Sequence, residues 1–293
     1  MPIDVLLPYY GDVELMKQAV RSVLAQRYQR WRLIVVDDGY PDPEPERWFS
    51  TMDEPRVTYL RNAENLGANG NYRKCLELTT APLMTIMGAD DVMLPDHLGV
   101  VSAIFGQHQD AAVVQTGVRV IDENGRTIAP LVDRMKAFYA PSGSQRAVLT
   151  GQPLAISLLR GNWTYFPSMA WRTDVVRSLG FQTGFDVVQD LALLLDLTMN
   201  GDTLVFDPTV TFHYRRHSGQ DSTVRALSGA RFDEERRFFS QQAVALRQRG
   251  WTKAARVARW HLSSRLSALS LLPTALHLTG WRAVWRLGRH VVL

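Results

Sequence analysis

Short apolar runs alternate with helix-like segments over the first 117 residues, and this alternation constrains the fold more than any other feature of the sequence. The apolar runs, which we predict to be strands, span residues 3–7, 31–36, 57–60, 83–87 and 111–117. The segments that we predict to be helices span residues 13–24, 69–78 and 95–108. Such alternation predicts an α/β fold with a mostly parallel sheet covered by helices on both faces.

After residue 117 the alternation weakens. The Asp-Glu-Asn-Gly sequence at residues 122–125 predicts a hairpin turn between short strands. Residues 130–150 lack periodicity and predict a mobile loop. The remaining predicted elements are a helix over residues 189–199, short strands over 203–206 and 210–214, and helices from residue 231 onward.

The composition is that of an ordinary globular protein. The chain has 293 residues, of which 46% are hydrophobic and 21% are charged, enough for one domain with an appendage. Cys75 is the single cysteine, which excludes an intramolecular disulfide and favours a reducing compartment. The sequence shows no secretory signal and no apolar stretch of about 18 residues, so we expect a cytoplasmic location.

Two of the predicted strands end in adjacent aspartates. Asp37 and Asp38 follow one strand, and Asp90 and Asp91 follow another. Ligands of α/β sheets bind just beyond the carboxyl ends of strands, and adjacent carboxylates repel unless a cation or several donors offset their charges. The pairs therefore predict a divalent cation with a phosphate ligand. The alternative is that these aspartates only mark turns and helix starts.

Several common site motifs are absent from the sequence. No Gly-x-Gly-x-x-Gly follows the first strand, and the sequence has no Walker motif, no zinc-spaced Cys/His cluster and no Gly-x-Ser-x-Gly. These absences weigh against dinucleotide enzymes, P-loop NTPases, zinc sites and hydrolases with a nucleophile elbow.

Six short segments instead occur in a definite order. They are residues 6–10 (LLPYY), 35–39 (VVDDG), 65–67 (NLG), 88–95 (GADDVMLP), 189–190 (QD) and 214–217 (YRRH). In this order they resemble the family 2 glycosyltransferases over about residues 3–220. The resemblance implies the GT-A fold, a nucleotide-sugar donor carrying UDP, GDP or dTDP, a divalent metal (Mn²⁺ or Mg²⁺) and inversion at the anomeric carbon.

The resemblance also assigns residues to the nucleoside end of the donor. Pro8 and Tyr10 match the first loop of the family, which lines the base and ribose. Asp38 matches the aspartate that contacts the nucleobase, and Asn65 matches a loop of the donor pocket.

Further matches lie at the diphosphate end and at the reacting centre. Asp90 matches the last aspartate of the family's Asp-x-Asp motif and is the expected metal ligand, with Asp91 in support. Asp190 matches the catalytic base, although its position at a helix start also fits an ordinary helix cap. Arg216 and His217 match a segment that returns to the donor phosphates, with the alternative that both are surface residues.

Two positions depart from the family pattern. Gly88 replaces the first carboxylate of Asp-x-Asp, which weakens the expected metal requirement. Gln189 replaces the usual acid before the base, and the loss of that charge predicts a lower pKa for Asp190. An aromatic run at residues 163–166 predicts either a platform for an acceptor sugar or part of the core.

The C-terminal part is basic. From residue 231 onward the sequence has twelve Arg or Lys residues and three acidic residues. On a helix, Trp281 and Trp285 would share a face opposite Arg282, Arg286 and Arg289, which predicts an amphipathic helix at an anionic membrane. The alternative is a helix packed on the catalytic domain with its arginines in water.

These observations predict a catalytic domain at residues 1–225, with a donor half (about 1–117) and an acceptor half (about 118–225), and a helical extension at 226–293. The expected function is inverting, metal-dependent glycosyl transfer to a hydroxyl of a glycan or lipid-linked acceptor in cell-envelope polysaccharide assembly. We expect a protein peripheral to the inner face of the cell membrane and no nucleic-acid partner. The alternatives are a catalytically silent GT-A binding module and a sugar nucleotidyltransferase.

Overall fold

The computed structural model describes residues 1–216, 230–278 and 281–292. Its strands are β1 (Ile3–Tyr9), β2 (Trp31–Asp37), β3 (Val57–Arg61), β4 (Leu83–Ile86), β5 (Val92–Met93), β6 (Ala111–Ile121), β7 (Ala147–Thr150), β8 (Met169–Arg172) and β9 (Thr203–Arg215). The helices before β9 are α1 (Val13–Leu24), α2 (Glu44–Ser50), α3 (Gly67–Leu78), α4 (His97–Gln107), α5 (Leu131–Tyr139), α6 (Gly151–Gly161), α7 (Thr173–Leu179) and α8 (Gln189–Asn200). The helices after β9 are α9 (Ala230–Gln248), α10 (Thr252–Trp260), α11 (Leu262–Leu278) and α12 (Trp281–Val292).

The strands form one mixed sheet, as the alternating pattern predicts. Its order is β3-β2-β1-β4-β8-β6-β9-β5, and β7 pairs with β9. Strands β3, β2, β1 and β4 are parallel to one another, and β6 is parallel to β9. Strand β8 is antiparallel to both of its neighbours. The prediction of an α/β fold with a mostly parallel sheet is therefore confirmed.

Parallel pairing brings the predicted site segments to one edge of the sheet. In the register of β1 and β2, Tyr9 lies opposite Asp37, and in that of β1 and β4, Leu6 lies opposite Ile86. The loops that follow these strands therefore leave the same edge. This edge is where a doubly wound sheet binds its ligands.

The sheet is packed on both faces. On one face, side chains such as Leu7 and Val35 pack with Val20 of α1 and Phe105 of α4. On the other face, a second cluster includes Trp171 of β8, Leu194 of α8 and aromatic residues of α9. Complete burial of one large apolar side chain contributes about 1.5–3 kcal/mol. Helices α9 and α10 therefore share their core with the sheet.

Residues 130–150 differ from the prediction of a mobile loop, because they form α5 and the edge strand β7. The buried position of α5 is polar, at Asp133, while Leu131 and Phe138 are 68% and 77% exposed. An apolar pattern that faces outward does not produce the usual signal of a helix packed on a core.

Strands β6 and β9 are longer than predicted. Each combines two segments that the sequence pattern separates, and register shifts near Gly117 accommodate the irregularity. A Cβ atom on Gly117 would collide with the carbonyl of Pro208, so only glycine fits this close approach. The turn at residues 122–125 is present, closed by a hydrogen bond from Asp122 N to Arg126 O at 2.9 Å.

None of the described helices is long and apolar enough to cross a membrane.

Candidate active site

A cluster of three tyrosine rings lies at the carboxyl end of β1. Tyr10 is 57% exposed and meets the ring of Tyr40 edge-on, with the ring centroids 5.4 Å apart. Tyr9 is buried beneath them and donates a hydrogen bond from its hydroxyl to Gly11 O at 2.8 Å. Pro8 is half-buried beside it. Pro8 and Tyr10 thus lie at the sheet edge that the sequence predicts for the nucleoside.

The first aspartate pair has two different environments. The carboxylate of Asp37 is fully buried and accepts hydrogen bonds from Tyr40 N at 2.7 Å and from the hydroxyl of Tyr59 at 2.5 Å. Asp38 uses Oδ1 to accept from Asn62 Nδ2 and Leu66 N, both at 2.9 Å. Asp37 therefore has a structural role, while Asp38 ties the end of β2 to the following loop.

Asn65 holds that loop in shape. Its Nδ2 donates to the carbonyl of Asp38 at 3.0 Å, and its Oδ1 accepts from Gly67 N at 3.0 Å. Gly67 has a positive φ of 72°, which glycine adopts without strain. The side chain of Asn65 is exposed at the edge of the site.

The second aspartate pair surrounds Gly88. A Cβ atom at position 88 would lie 2.6 Å from Oδ2 of Asp91 and 2.8 Å from Oδ1 of Asp90. The two carboxylates thus approach the space that any side chain at position 88 would need. A side chain at position 88 would therefore displace these carboxylates from the positions they occupy here.

Asp91 is the more buried member of the pair. Its Oδ1 accepts a hydrogen bond from Arg215 N at 2.8 Å, whereas its Oδ2 is buried without a hydrogen-bond partner. Burial and then the like charge of Asp90 raise the pKa of Asp91 well above its usual value. An unpartnered oxygen beside a second carboxylate is a local excess of negative charge that a cation would offset.

Arg215 fixes the turn that carries these aspartates. Its buried guanidinium donates to the carbonyls of Asp90, Asp122 and Glu123 at 2.7–3.0 Å. It also donates to Oε1 of Gln18 at 3.0 Å. Arg215 is therefore engaged by protein groups and joins α1, β9 and the Asp90 turn.

Arg216 points toward α5. Its guanidinium forms a bidentate ion pair with Asp133, with N–O distances of 2.6 and 2.9 Å. The hydroxyl of Tyr165 donates to the same carboxylate at 2.9 Å. Arg216 thus anchors α5 over the site, and its contact with donor phosphates stays a prediction. His217 lies outside the described residues.

Asp190 lies in the first turn of α8. Its Oδ1 accepts from Leu191 N at 2.7 Å. Burial raises the pKa of Asp190, while the charge of Lys136 and hydrogen bonds from Leu191 and Asn162 oppose the rise. The prediction of a lower pKa from Gln189 is wrong, because desolvation of the carboxylate outweighs the missing neighbouring charge.

The start of α8 is held by a carboxylate from a distant helix. Oε1 of Glu234, on α9, accepts hydrogen bonds from the backbone nitrogens of Asp186, Val187 and Val188 at 2.6–2.9 Å. These donors precede the helix and face its positive end, where a negative charge is favourable. Helix α9 thereby positions the turn that carries Asp190.

The phenol of Tyr72, on α3, is influenced both by the Asp90–Asp91 pair and by Asp190. Burial raises the pKa of its phenol, and the nearby charges of Asp90, Asp190 and Asp91 raise it further. The carboxylates of Asp90 and Asp91 and that of Asp190 therefore act on the same side chain. The fold brings together residues that are about a hundred positions apart in the sequence.

The aromatic run at residues 163–166 belongs mainly to the core. Trp163 and Phe166 are 1% and 8% exposed, so they offer no open face to a sugar. Tyr165 is half-buried and lies under Nζ of Lys136, 4.4 Å from the ring centroid. The alternative of a core segment is correct for Trp163 and Phe166.

The residues at the site partly fit a divalent cation. Among the described residues, no group of three or more His, Cys, Asp or Glu side chains is arranged to hold a metal ion. Asp90 and the unpartnered Oδ2 of Asp91 supply hard oxygen donors at the edge where a diphosphate would add more. A site with few protein ligands suits Mg²⁺ or Mn²⁺, which share their coordination with substrate phosphates.

Several site residues are missing from the sequence-based predictions. They are Asn62, Tyr72, Asp133, Lys136, Asn162 and Glu234. Each is an ordinary polar residue in its local sequence, and only the tertiary fold brings it to the site. Lys136 is the clearest case, because burial lowers its pKa to about 8 while it lies near Asp190.

Comparison with known proteins identifies one family and several relatives. The family described as "Glycosyl transferase family 2" matches residues 4–169 of this chain. An uncharacterized protein, MT1568 of Mycobacterium tuberculosis, is 34% identical over 237 residues, which cover 78% of this chain and 71% of that protein. The putative colanic acid biosynthesis glycosyl transferase WcaA of Escherichia coli is 30% identical over 99 residues, 33% of this chain and 36% of WcaA. The aligned segment therefore spans about a third of WcaA.

Solved structures agree in fold. TarS of S. aureus in complex with UDP-GlcNAc has a TM-score of 0.64 at 14% identity, covering 82% of this chain and 66% of that chain. The mannosyltransferase PcManGT of Pyrobaculum calidifontis, in complex with GDP-Man and Mn²⁺, has a TM-score of 0.63 at 17% identity, covering 98% and 78%. With the fold, the carboxyl-edge site and the family match over more than half of its length, this chain belongs to glycosyl transferase family 2 and has the GT-A architecture.

Proposed function

We propose that this protein is an inverting glycosyltransferase that moves a sugar from a nucleotide donor to a hydroxyl acceptor. The observation that carries the proposal is the Asp90–Asp91 pair at the carboxyl edge of the sheet, where Oδ2 of Asp91 is buried without a hydrogen-bond partner. A donor diphosphate beside this pair and an acceptor hydroxyl beside Asp190 would bring the reacting groups together.

Donor binding is assigned to the carboxyl edge of the sheet. The nucleoside would lie against Pro8 and Tyr10, with Asp38 and Asn65 on its other side. The proposal is supported by two proteins of similar fold, one bound to UDP-GlcNAc and one to GDP-Man. The donor carries UDP, GDP or dTDP in this proposal.

A divalent metal ion would be held by Asp90, with Oδ2 of Asp91 as a second oxygen donor. When bound, such an ion stabilises negative charge on the leaving diphosphate. Mn²⁺ accompanies GDP-Man in PcManGT, which supports the choice of Mn²⁺ or Mg²⁺. Gly88 leaves one fewer protein ligand than the family pattern, so we expect weak metal affinity in the absence of donor.

Asp190 is proposed as the base. The acceptor oxygen forms a bond to the anomeric carbon, the bond from that carbon to the diphosphate oxygen breaks, and the acceptor proton passes to the carboxylate of Asp190. Attack from the face opposite the leaving group inverts the anomeric carbon. A positioned base of this kind typically contributes ~10²–10⁴-fold to the rate.

The proposed acceptor belongs to a cell-envelope polysaccharide or a lipid-linked glycan. The relative WcaA, whose name refers to colanic acid biosynthesis, supports the polysaccharide class. Peripheral association with an anionic membrane is part of the proposal. Its support is the exposure of Trp260, Leu262 and Trp285 on a region rich in arginine.

The experiment that tests the function is donor turnover by Asp190→Asn. We expect wild-type protein, given nucleotide-sugars, Mn²⁺ and a mixed glycan and glycolipid acceptor pool, to release nucleoside diphosphate. The variant should bind donor normally but lose at least about 10²-fold in rate. Because burial raises the pKa of Asp190, wild-type activity should fall as the pH drops through a value above the usual aspartate pKa.

A catalytically silent binding module remains the second candidate, because Gly88 removes a carboxylate that the family pattern contains. Donor binding without turnover under any of these conditions would favour that module. Equal rates for wild type and Asp190→Asn would contradict the assignment of the base.

A further inference from the structure

A groove lies between α5, α6 and α10, outside the donor site. Its volume is about 420 Å³, which is within the range of small-molecule sites. The groove is lined by Tyr139, Leu159, Arg160, Arg256, Val257, Trp260 and Leu262. Five of these seven side chains are apolar or aromatic and two are arginines.

The two arginines are available to a ligand. Arg160 and Arg256 are exposed, and neither guanidinium forms a hydrogen bond or ion pair with another residue of the described ranges. Two unpaired guanidinium groups beside an apolar groove fit a ligand that combines a phosphate with a hydrocarbon chain. A free glycan would instead need many hydrogen-bonding partners, which this lining does not offer.

The groove begins close to Asp190. On α5, Lys136 acts on the carboxylate of Asp190, and Tyr139 lines the groove one turn later. On α6, Arg160 lines the groove, and Asn162, two residues further on, bonds to Asp190. Helices α5 and α6 thus each contribute to the groove and carry, close by in the sequence, a neighbour of the proposed base Asp190.

The inner end of the groove is tightly packed. The ring of Tyr139 covers Gly161 so closely that a Cβ atom at this position would overlap it. The ring of Tyr139 is thereby held in one position beside the Gly161–Asn162 turn.

The outer end continues into an exposed apolar stripe. Leu262, Leu266 and Leu269 lie on one side of α11 and are 64%, 59% and 49% exposed. Trp260, which precedes them, is 56% exposed. A contiguous exposed stripe of this kind marks a lipid or protein contact on a folded domain, and the arginines beside it favour an anionic lipid.

We propose that this groove binds the hydrocarbon chain of a lipid-linked acceptor, with Arg160 and Arg256 paired to its phosphate. The chain lies over Leu159, Val257 and Leu262, and the sugar to be extended reaches Asp190 past Tyr139. This assignment rests on the proposed glycosyl transfer, which it deepens by naming the acceptor class. The occupant is an isoprenyl or acyl phosphate that carries the acceptor sugar.

The test is binding of farnesyl phosphate, below its micelle concentration, to the full-length protein by tryptophan fluorescence. We expect saturable binding, with farnesol weaker and inorganic phosphate alone without effect. Arg160→Ala and Arg256→Ala should each weaken binding about tenfold, the loss expected for one charge-assisted hydrogen bond. Leu262→Gln should weaken it as well, because it makes the apolar floor polar.

Matched variants separate the groove from general lipid partitioning. Arg259→Ala removes an exposed arginine of α10 that does not line the groove, and Val244→Gln alters an exposed apolar residue of α9 that belongs to neither the groove nor the stripe. Both should bind farnesyl phosphate as the wild type does. Equal losses in Arg256→Ala and Arg259→Ala, or no loss in Leu262→Gln, would overturn the assignment.

Donor binding distinguishes this inference from the proposed function. Protein that shows a donor-induced thermal shift but no saturable farnesyl phosphate binding would overturn the groove alone. Protein that binds farnesyl phosphate through Arg160 and Arg256 but turns over no donor would leave the groove standing and refute the proposed transfer.

Discussion

Gly88 shows how one residue can determine the arrangement of two neighbouring carboxylates. A side chain at this position would collide with the carboxylates of both Asp90 and Asp91. The glycine therefore sets the position of the remaining carboxylates. In a related chain with an aspartate at this position, the neighbouring carboxylates would have to be placed differently.

This geometry makes a specific prediction for Gly88→Ala and Gly88→Asp. A side chain at position 88 would push the carboxylates of Asp90 and Asp91 out of their present positions. We expect both variants to lose about tenfold or more in Mn²⁺-dependent donor affinity, measured by calorimetry. Gly88→Asp restores the family's Asp-x-Asp pattern and should nevertheless bind less tightly than the wild type.

The control for that series is Gly106→Ala in α4. A Cβ atom at Gly106 would have no neighbour within 4 Å, so this variant should keep the wild-type donor affinity. If Gly88→Asp binds Mn²⁺ and donor more tightly than the wild type, the steric account of Gly88 is wrong.

At the residue scale, the sequence predicts where the aspartates of the site lie better than it predicts what each of them does. Both aspartate pairs lie at the predicted strand ends. Their hydrogen-bond partners, however, come from elsewhere in the chain: Tyr59 binds Asp37, Asn62 binds Asp38 and Arg215 binds Asp91. The raised pKa of Asp190 arises from burial by the tertiary fold, which its local sequence does not reveal.

At the element scale, α8 illustrates how one helix positions another. The carboxylate of Glu234, on α9, accepts three backbone hydrogen bonds at the start of α8. Asp190 lies in the first turn of that helix, so its position depends on this contact. The sequence predicts α8 from its leucine periodicity, but the partner that fixes its start lies more than forty residues away.

We therefore predict that Glu234→Ala lowers both stability and activity. Loss of hydrogen bonds to a charged group should reduce the free energy of unfolding by about 2 kcal/mol, measured by urea denaturation. The turnover rate should fall while donor affinity is kept, because Asp190 moves and the donor site does not. Glu77→Ala on the exposed face of α3 is the control and should change the unfolding free energy by less than about 0.5 kcal/mol. Equal stability of Glu234→Ala and the wild type would contradict the role of this cap.

Helix α5 shows why part of the architecture could not be predicted. Its inward side carries Asp133 and Lys136, which bind Arg216 and the carbonyl of Thr164, while its apolar residues face outward. Periodicity finds helices whose apolar side is buried. A helix that packs through polar contacts does not produce that signal.

At the scale of the whole molecule, the C-terminal helices both complete the core and present an apolar surface. Phe238 and Phe239 of α9 are buried with the sheet residues, whereas Trp285 of α12 is 64% exposed.

Arg289 lies over the ring of Trp285, at 5.4 Å from its centroid. The prediction of arginines on the opposite face from this tryptophan is therefore wrong for Arg289. Helix α12 packs inward through Leu287 instead.

This surface predicts binding to anionic membranes. Vesicles that contain about a third anionic phospholipid should sediment the protein, and neutral vesicles should not, since each cation near such a surface contributes about 1 kcal/mol. Replacement of Trp285 and Leu266 by Gln should reduce the bound fraction, whereas replacement of the exposed Val244 on α9 should not. Equal binding to neutral and anionic vesicles would contradict the electrostatic part of this account.

The division into a catalytic domain at residues 1–225 and an extension at 226–293 stays a proposal. The alternating pattern predicts the parallel half of the sheet well, because buried parallel strands are continuous apolar runs. It does not reveal that α9 and α10 belong to the same core, since that contact depends on tertiary packing.

The central claim is that the carboxyl edge of the sheet binds a nucleotide-sugar through Asp38 and Asp90. Its most direct test is the thermal stability of the protein with UDP-, GDP- and dTDP-sugars, each with and without Mn²⁺. We predict that sugars of one base class raise the Tm, that Mn²⁺ increases the shift, and that Asp38→Ala and Asp90→Ala each abolish most of it, because a ligand that binds only the folded state stabilises it. No shift with any nucleotide-sugar, or an unchanged shift in both variants, would contradict the claim.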